Sequence, residues 1–315
     1  MTSLDLVSLL LPELTAQHHA YRASGKPFVH YTSIEAGCSI LQRREFWLRN
    51  ATCMNDWSEV NHGLQCLFNA FNDSDSGSRL KSLLDEIHPG MMNRFIEYFN
   101  NIITHLRYET YITCISEHDP NVDEIGRLSM WRAYGSNGGL AFVLRPFAFF
   151  NETDALESFT NPVNYVSESE FADRFSVVVN RIADNRQILE SKTEQQLKDF
   201  LYFWFRWVAV CSKHPGFSEE REWRVIHSPT LFSSDLVRGE VESVRGLPQI
   251  VYKIRLEDVP DRNLINIEIP KILDHLIVGP TQFPYAVREA FARLLAEAGI
   301  ADVHGRLRIS NIPVR

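Results

Sequence analysis

The chain has 315 residues, of which 44% are hydrophobic and 23% are charged. A chain of this size and composition can bury a large core and is typical of a globular protein. The formal net charge of -8 argues against a general attraction to nucleic acid or anionic membrane, although it leaves room for a local basic groove. The five cysteines contain no C-x-x-C pair. They therefore disfavour a disulfide framework or a zinc site, and they indicate a reducing cytoplasm.

Residues 1–27 are predicted to form an N-terminal helical extension. The segment has an apolar run, but it carries Asp5 early, lacks a basic start and is interrupted by Pro12. These features indicate a surface helix and not a signal peptide. No segment approaches the uninterrupted apolar length of a membrane-spanning helix, so a soluble, cytoplasmic protein without a membrane partner is expected.

The next part of the chain predicts a strand, a short helix and a second strand. Phe28–Tyr31 is the first strand, Thr32 or Ser33 can cap the helix, and Glu45–Leu48 is the second strand. His30, Tyr31 and Thr32 therefore fall where the first strand ends and the helix begins. Polar side chains at such a place can reach a ligand beside free backbone donors.

Two helical insertions are predicted, at about residues 60–109 and 167–211. Both show amphipathic spacing, and neither is flanked by a Pro/Gly/Ser-rich linker. We therefore expect them to cover the sheet of one domain and not to form a second domain. The second insertion ends in the aromatic run Phe200–Trp207. This run predicts core packing, because aromatic residues that stack on nucleic-acid bases are usually interleaved with basic ones.

Further strands are predicted from short apolar runs between turn signals. They are Tyr111–Ser116, Leu140–Leu144, Glu222–His227, Gln249–Ile254, Leu264–Ile267, Leu273–Val278 and Leu307–Ile309. Strands are thus scattered along the whole length with helices between them. This order favours a single α+β domain over residues 28–315.

The segment 213–228, KHPGFSEEREWRVIHS, concentrates charge at the start of a predicted strand. If the backbone is extended from Glu220, then Glu220, Glu222 and Arg224 share one face. Two acids and a cation at one place can shift each other's pKa values, as in a catalytic cleft. A solvated strand edge whose charges prevent aggregation would show the same pattern.

Six short motifs in a fixed order carry a family resemblance. They are HYTSIEAGCSIL, FWLRNATCMNDWSE, CISE, MWRAYG followed by a glycine-led strand, FSEEREWRVI, and LDHLIVGP. Over about residues 28–312 the chain resembles the bacterial family catalogued as domain of unknown function 2971 (DUF2971). That family in turn resembles the ADP-ribosyltransferase fold. The resemblance implies an α+β fold with a split mixed β-sheet core and helical insertions.

The resemblance also implies roles for two motifs. His30-x-Thr32 is similar to the H-x-[ST] motif that holds the nicotinamide-side ribose of NAD, with the backbone of Tyr31 binding the carboxamide. Glu220-x-Glu222 is similar to the E-x-E motif. In that motif the second Glu stabilises the oxocarbenium-like cation, and the first activates the acceptor nucleophile. A histidine satisfied by a neighbouring carbonyl would also fit His30.

A third polar cluster, Asn55 and Asp56 with Glu59, is suggested by the resemblance. The same residues also fit a cap of the following helix, because Asn and Asp side chains accept bonds from free first-turn N–H groups.

Three more positions are candidates for NAD binding. Trp131 and Tyr134 lie three residues apart and fit either stacking on a ring of NAD or core packing. Arg224, with Lys213, could hold a pyrophosphate, and Arg224 could equally form an ion pair with Glu222.

The leading functional hypothesis is an NAD-dependent ADP-ribosyltransferase that modifies a cellular macromolecule, protein or nucleic acid, such as a bacterial toxin or phage-defence effector. NAD is its expected substrate, and no metal is expected. The alternative is a non-catalytic nucleotide-sensing or partner-binding module that uses the same cleft. A hydrolase using paired carboxylates stays open as well, and it would need a second acid such as Glu59 or Glu117.

Overall fold

The computed structural model describes residues 3–54, 59–135, 138–151 and 153–313 of the chain. Within these residues the α-helices are α1 Ser3–Leu10, α2 Pro12–Ser24, α3 Ile34–Arg43, α4 Glu59–Asn72, α5 Asp75–Ile87, α6 Met91–Tyr108, α7 Leu128–Tyr134, α8 Glu168–Asp184, α9 Arg186–Glu190, α10 Glu194–Cys211, α11 Ile269–Ile272 and α12 Pro284–Glu297. The strands are β1 Phe28–Ser33, β2 Glu45–Asn50, β3 Tyr111–Glu117, β4 Gly139–Leu144, β5 Ser158–Pro162, β6 Asn164–Tyr165, β7 Ser212–Lys213, β8 Glu222–His227, β9 Val237–Val244, β10 Leu247–Arg255, β11 Leu273–Val278 and β12 Leu307–Ile309. Short 3-10 helices span Ala51–Cys53, Pro146–Phe150, Pro215–Glu220, Pro260–Arg262 and His304–Arg306.

The chain divides into two compact units. The first comprises residues 1–19, 50–110 and 161–218, and the second comprises residues 20–49, 111–160 and 219–315. The predicted insertions thus cluster together with the N-terminal residues. That the chain forms a single domain carrying these insertions stays a prediction, since compactness alone does not show whether the first unit folds independently.

The first unit is built on the aromatic run of α10. Phe205 packs edge to face against Phe71 at 5.1 Å and Phe95 at 5.2 Å between ring centroids. Trp204 stacks on Phe175 at 5.3 Å. Both α10 residues are almost fully buried. The run therefore packs into the core of this unit, because its large apolar rings gain most when they are removed from water.

Among the described residues, no helix combines the length and the apolar character that crossing a bilayer requires. The longest helices, α6 and α10, have 18 residues each. Both carry charged residues along their length.

The second unit holds a mixed β-sheet. Its main path runs β12-β11-β4-β1-β3-β2-β10-β9, and β8 pairs with β3 off that path. β12 runs parallel to β11, whereas the pairs β1–β3, β1–β4, β2–β10, β9–β10, β4–β11 and β3–β8 are antiparallel. The fold is therefore α+β with a mixed sheet, which confirms this part of the sequence prediction.

Apolar residues cover both faces of the sheet near β1. One face packs against α3 and α12 through a cluster that includes Phe28, Phe142 and Trp223. The other packs against α7 through a smaller cluster that includes Val29, Tyr31 and Trp131. Because side chains alternate along a strand, consecutive residues of β1 belong to different clusters.

In the C-terminal third one predicted strand is wrong and one strand was missed. Leu264–Ile267 is not a strand, because Asn263 and Asn266 adopt positive φ values of 54° and 64° that break the extended backbone. Only an isolated bridge joins Leu264 to Val259 among the described residues. Val237–Val244 is a strand that the sequence did not predict. It lies at the edge of the sheet, where glutamates on exposed positions mask the usual β pattern.

The Trp131 indole packs directly against the backbone of Gly126 and Gly279, with no room for a side chain at either position. A Cβ added at Gly279 would lie 2.8 Å from the indole ring, and one at Gly126 would lie 2.5 Å from it. The indole N–H donates to the carbonyl of Ile125 at 3.2 Å. Close approach of the backbone to this ring therefore explains why glycine occupies both positions.

We expect Gly279→Ala to lower the free energy of unfolding by about 1–3 kcal/mol, because the added methyl group overpacks against Trp131. Urea unfolding followed by Trp fluorescence measures this change. Gly216→Ala is the control, since its Cβ would meet only the exposed His214 ring. Equal stability of the parent and Gly279→Ala would contradict the close packing of Trp131 against Gly279.

His118, directly after β3, is a fully buried histidine of the second unit. Neither ring nitrogen has a hydrogen-bond partner among the described residues, and the ring lies 6.1 Å from that of His275. Burial lowers the pKa of His118 to about 4, although the nearby Asp123 carboxylate acts in the opposite direction. His275, Arg127 and Arg308 act in the same direction as burial.

This depressed pKa predicts acid lability. Between about pH 6.5 and pH 4 the unfolded chain protonates His118 while the folded chain does not. The free energy of unfolding therefore decreases as the pH is lowered through this range, by at most about 3 kcal/mol. Urea unfolding at several pH values should show a shallower pH dependence for His118→Gln than for the parent. His19→Gln, at an exposed position, should keep the parent slope. Identical slopes in all three proteins would refute the assignment to His118.

Candidate functional site

The sheet of the second unit forks at β3. β8 pairs with β3 along its length, from Tyr111↔His227 to Ser116↔Glu222. β1 pairs with β3 at Phe28↔Glu117 and Val29↔Ser116, and β2 is also a neighbour of β3. A strand has two edges, and β8 occupies one of them. β1 and β2 therefore share the other edge and separate from each other beyond Val29.

His30 lies at this fork. Its Nδ1 is 2.8 Å from the carbonyl oxygen of Cys114, on β3. A carbonyl only accepts, so Nδ1 carries the proton. Burial lowers the pKa of His30, while the bond to the Cys114 carbonyl acts in the opposite direction. The imidazole is therefore neutral at pH 7, and its Nε2 is an acceptor.

A ring from β2 completes the surroundings of His30. Phe46 meets the imidazole edge to face, at 5.5 Å between centroids and an interplanar angle of 90°. Phe46 itself packs on the core cluster around Phe28 and Trp223. The histidine is thus oriented by a hydrogen bond on one side and an aromatic ring on the other.

The backbone of Tyr31 is directed into the fork. The N–H of His118 donates to the carbonyl of Pro27, which marks the pair of residues 27 and 118 as hydrogen-bonded. Hydrogen-bonding edges alternate along a strand, so the N–H and C=O of Tyr31 point toward the same edge, past the last β1–β3 pair. A donor and an acceptor that lie side by side can bind a planar amide.

The side chains of Tyr31 and Thr32 have other surroundings. The Tyr31 hydroxyl accepts a bond from the Arg127 N–H at 3.0 Å, and its ring contacts Trp131 at 4.9 Å between centroids. Thr32 is half-buried and lies opposite Leu140 on β4. Only the backbone of Tyr31 is therefore placed for a role in the fork.

Trp131 and Tyr134 lie on α7. Trp131 is 3% exposed and belongs to the cluster beneath this helix, whereas Tyr134 is half-buried at the border of that cluster. An indole that is buried to this degree has no open face for a ligand ring. Its contacts give Trp131 a packing role.

Glu222 and Arg224 form a buried ion pair on β8. The Arg224 Nε donates to a Glu222 carboxylate oxygen at 2.8 Å, and the side chains are 4% and 1% exposed. This confirms that Arg224 pairs with Glu222. Both charges lie in the interior, where an ion pair is stable only if its polar atoms are satisfied.

The registers place Glu222 and His30 on opposite faces of the sheet. Val29, Ser116 and Glu222 form one cross-strand row, and residues directly opposite each other share a face. His30 is the neighbour of Val29 on β1 and therefore faces the other way. The pairing does not bring the His30 and Glu222 side chains together on one face.

The sequence interpretation of Glu220 needs a correction. Glu220 ends the 3-10 helix Pro215–Glu220, and Arg221 follows with a φ of 46°. The extended strand begins only at Glu222. Glu220 therefore does not share a strand face with Glu222 and Arg224, because the backbone turns between them.

Asn55 and Asp56 lie outside the described residues, so their role as a cap or as part of a site stays a prediction. α4 begins at Glu59, whose side chain is likewise outside the description. Lys213 is buried in the first unit, with its ammonium 4.8 Å from the centroid of the Phe217 ring. Within the described residues, no three His, Cys, Asp or Glu side chains converge as a metal site.

Sequence reasoning missed Cys114 and Arg127. Cys114 contributes a backbone carbonyl, which no side-chain pattern can reveal. Arg127 lies in a loop and is buried, at 8% exposure. No pattern in the sequence marks it, because the carbonyls that its guanidinium bonds lie about 90 residues away in the chain.

Comparison with known proteins gives a family but no activity. No curated protein and no solved structure matches the chain. A family model described as "Protein of unknown function (DUF2971)" matches residues 130–225, which include most of α7, all of β4 and the Glu222–Arg224 pair. This match confirms the similarity to DUF2971 that the motifs of the sequence indicate.

Proposed function

We propose that this protein is an NAD-dependent ADP-ribosyltransferase that modifies a cellular macromolecule, protein or nucleic acid. The observation that carries the proposal is the fork at β3, where His30 is held as a neutral imidazole beside the Cys114 carbonyl. An ADP-ribosyltransferase-like split sheet is part of the same proposal. The resemblance of His30-x-Thr32 and Glu220-x-Glu222 to the motifs of that fold supports it independently.

The fork offers complementary groups to the nicotinamide end of NAD. A ribose hydroxyl donates to the His30 Nε2, which accepts because Nδ1 carries the proton. The carboxamide pairs with the N–H and C=O of Tyr31. Among the described residues no strand lies between β1 and β2 at the fork, so the gap is open to a ligand.

The reaction breaks the bond between C1′ of the ribose and the nicotinamide nitrogen. The bonding electron pair leaves with nicotinamide, and an acceptor nucleophile forms the new bond to C1′ and gives up its proton to a base. Positive charge develops on the ribose in the transition state, and the ionised Glu222 stabilises it electrostatically. Glu220, in the turn before β8, is the proposed base for the acceptor proton.

The burial of Glu222 and Arg224 favours a second candidate, a non-catalytic module that binds a nucleotide or a partner at the fork. A carboxylate that is 4% exposed and paired with a fully buried arginine is placed as a structural charge. In such a module, ligand binding depends on His30 and Tyr31 and not on Glu222. The two candidates therefore differ in one measurable property, the turnover of NAD.

The test uses NAD labelled in its adenylate part, incubated with the purified chain and a cell lysate. We expect label on protein, DNA or RNA, and slow release of ADP-ribose without acceptor. Glu222→Gln should lower turnover about 100-fold or more while the NAD dissociation constant changes little, because the charge gains value only in the transition state. NAD binding without turnover in the parent would support the module, and absence of NAD binding would refute the transferase and would also refute a module that binds NAD.

Two controls make this result interpretable. Glu222→Gln leaves the Arg224 charge buried without its counter-charge, so urea unfolding must show that the variant is folded at the assay temperature. Glu220→Gln should impair transfer to the macromolecule but keep hydrolysis of NAD by water, because cleavage itself does not need the acceptor base. Loss of both activities in Glu220→Gln would contradict the division of roles.

A further inference from the structure

One residue of the second unit, Arg127, bonds to both β1 and the turn that precedes β8. The backbone N–H of Arg127 donates to the Tyr31 hydroxyl at 3.0 Å. The guanidinium of the same residue donates through Nη1 to the carbonyl of Glu219 and through Nη2, at 3.2 Å, to the carbonyl of Glu220. Arg127 is 8% exposed, so these bonds form where water has little access.

The turn after Glu220 requires such support. A 3-10 helix leaves its last carbonyls without intrahelical partners, and burying them unpaired costs free energy. The planar fork of an arginine can satisfy two carbonyls at once, which a lysine ammonium does less well because it acts as a point charge. Arg221 adds strain, since its φ of 46° is unfavourable for a residue with a Cβ.

The carboxylate of Asp123 contacts both Arg127 and Arg221. Asp123 is 2% exposed and lies 3.2 Å from the Arg221 Nη2 and 3.9 Å from the Arg127 Nε. One buried carboxylate thus faces two cations, the buried Arg127 and the partly exposed Arg221. The Ser129 hydroxyl also donates to the Glu219 carboxylate at 2.8 Å, which ties the start of α7 to the same turn.

We propose that Arg127 is a positioning residue for Glu220 and Glu222. It fixes the conformation of residues 219–222 and links that turn to Tyr31, so the carboxylates and the fork keep one relative placement. The effect on turnover rests on the proposed function, whereas the effect on the turn does not. Neither effect is implied by the motifs of the sequence, because Arg127 belongs to none of them.

The experiment compares Arg127→Lys with the parent by hydrogen exchange and mass spectrometry. Lysine keeps the charge but cannot bond both carbonyls in the same geometry. We expect amide exchange in residues 219–223 to become about tenfold faster, which corresponds to the loss of about one net hydrogen bond. Arg132→Lys is the matched control, because Arg132 lies on α7 at an exposed position and should leave this exchange unchanged.

Chemical rescue separates positioning from general stability. Adding millimolar guanidinium to Arg127→Ala should restore protection of residues 219–223, while sodium chloride at the same ionic strength should not. If NAD is turned over, guanidinium should also raise kcat with little change in KM, because the turn and not the binding site is repaired. A merely structural arginine would not show this pairing of restored protection with restored kcat.

The outcomes distinguish the two proposals. Faster exchange in Arg127→Lys with no NAD turnover in the parent would retain the support of the turn and refute the proposed function. Unchanged exchange in Arg127→Lys and Arg127→Ala would overturn the role of Arg127, whatever the activity. If Arg127→Ala does not fold, the lysine variant alone decides, since it retains the buried charge that Asp123 requires.

Discussion

Both edges of β3 are occupied at Ser116, by β1 on one side and β8 on the other. Beyond the pair Val29↔Ser116, this first edge of β3 is occupied by β2 instead of β1. There the His30 ring donates a hydrogen bond to the Cys114 carbonyl. A hydrogen bond in the interior contributes to stability, and leaving its acceptor unpaired typically costs about 1–3 kcal/mol. The bond has a second consequence for the histidine. Because Nδ1 donates to the Cys114 carbonyl, Nε2 is left as the acceptor nitrogen of the ring.

Charges are concentrated around residues 219–224, where two buried acids are bonded to arginines. Glu222 is held by Arg224 on β8, and Asp123 holds Arg127 and Arg221 beside the turn. Removing one member of such a pair typically costs about 3–5 kcal/mol, because the remaining charge is left without compensation. A buried ion pair adds little net stability, because the free energy of removing both charges from water opposes their attraction. Their grouping around residues 219–224 is the pattern expected where a turn and a carboxylate must keep one conformation.

The sequence predicted local structure well where a pattern is local. The strands Glu222–His227 and Leu273–Val278 have the predicted bounds, because each is a short apolar run between clear turn signals. Within the first helical insertion, by contrast, the individual helices are fixed by their caps. α5 begins at Asp75, since the Ser74 side chain caps it by accepting a bond from the Gly77 N–H.

The arrangement of the candidate site depends on contacts that sequence spacing does not contain. Whether His30 and Glu222 share a face is decided by the register of β1, β3 and β8, and a shift of one residue would reverse the answer. Glu220 was expected on the strand, but the positive φ of Arg221 separates it from Glu222. Arg127 was not expected at all, because its partners are carbonyls about 90 residues away in the chain. Motifs could indicate the residues, but not their geometry.

At the fork His30 is a neutral hydrogen-bond acceptor whose ring orientation is fixed. Nitrogen NMR of the protein labelled at its histidines, with His30 assigned from the resonances lost in His30→Asn, tests this directly. At pH 7 the proton should be on Nδ1 of His30. Saturating NAD should shift the Nε2 resonance of His30, while the ring nitrogen resonances of the exposed His19 should stay where they are. A doubly protonated ring, a proton on Nε2, or an Nε2 resonance unaffected by NAD would contradict the account.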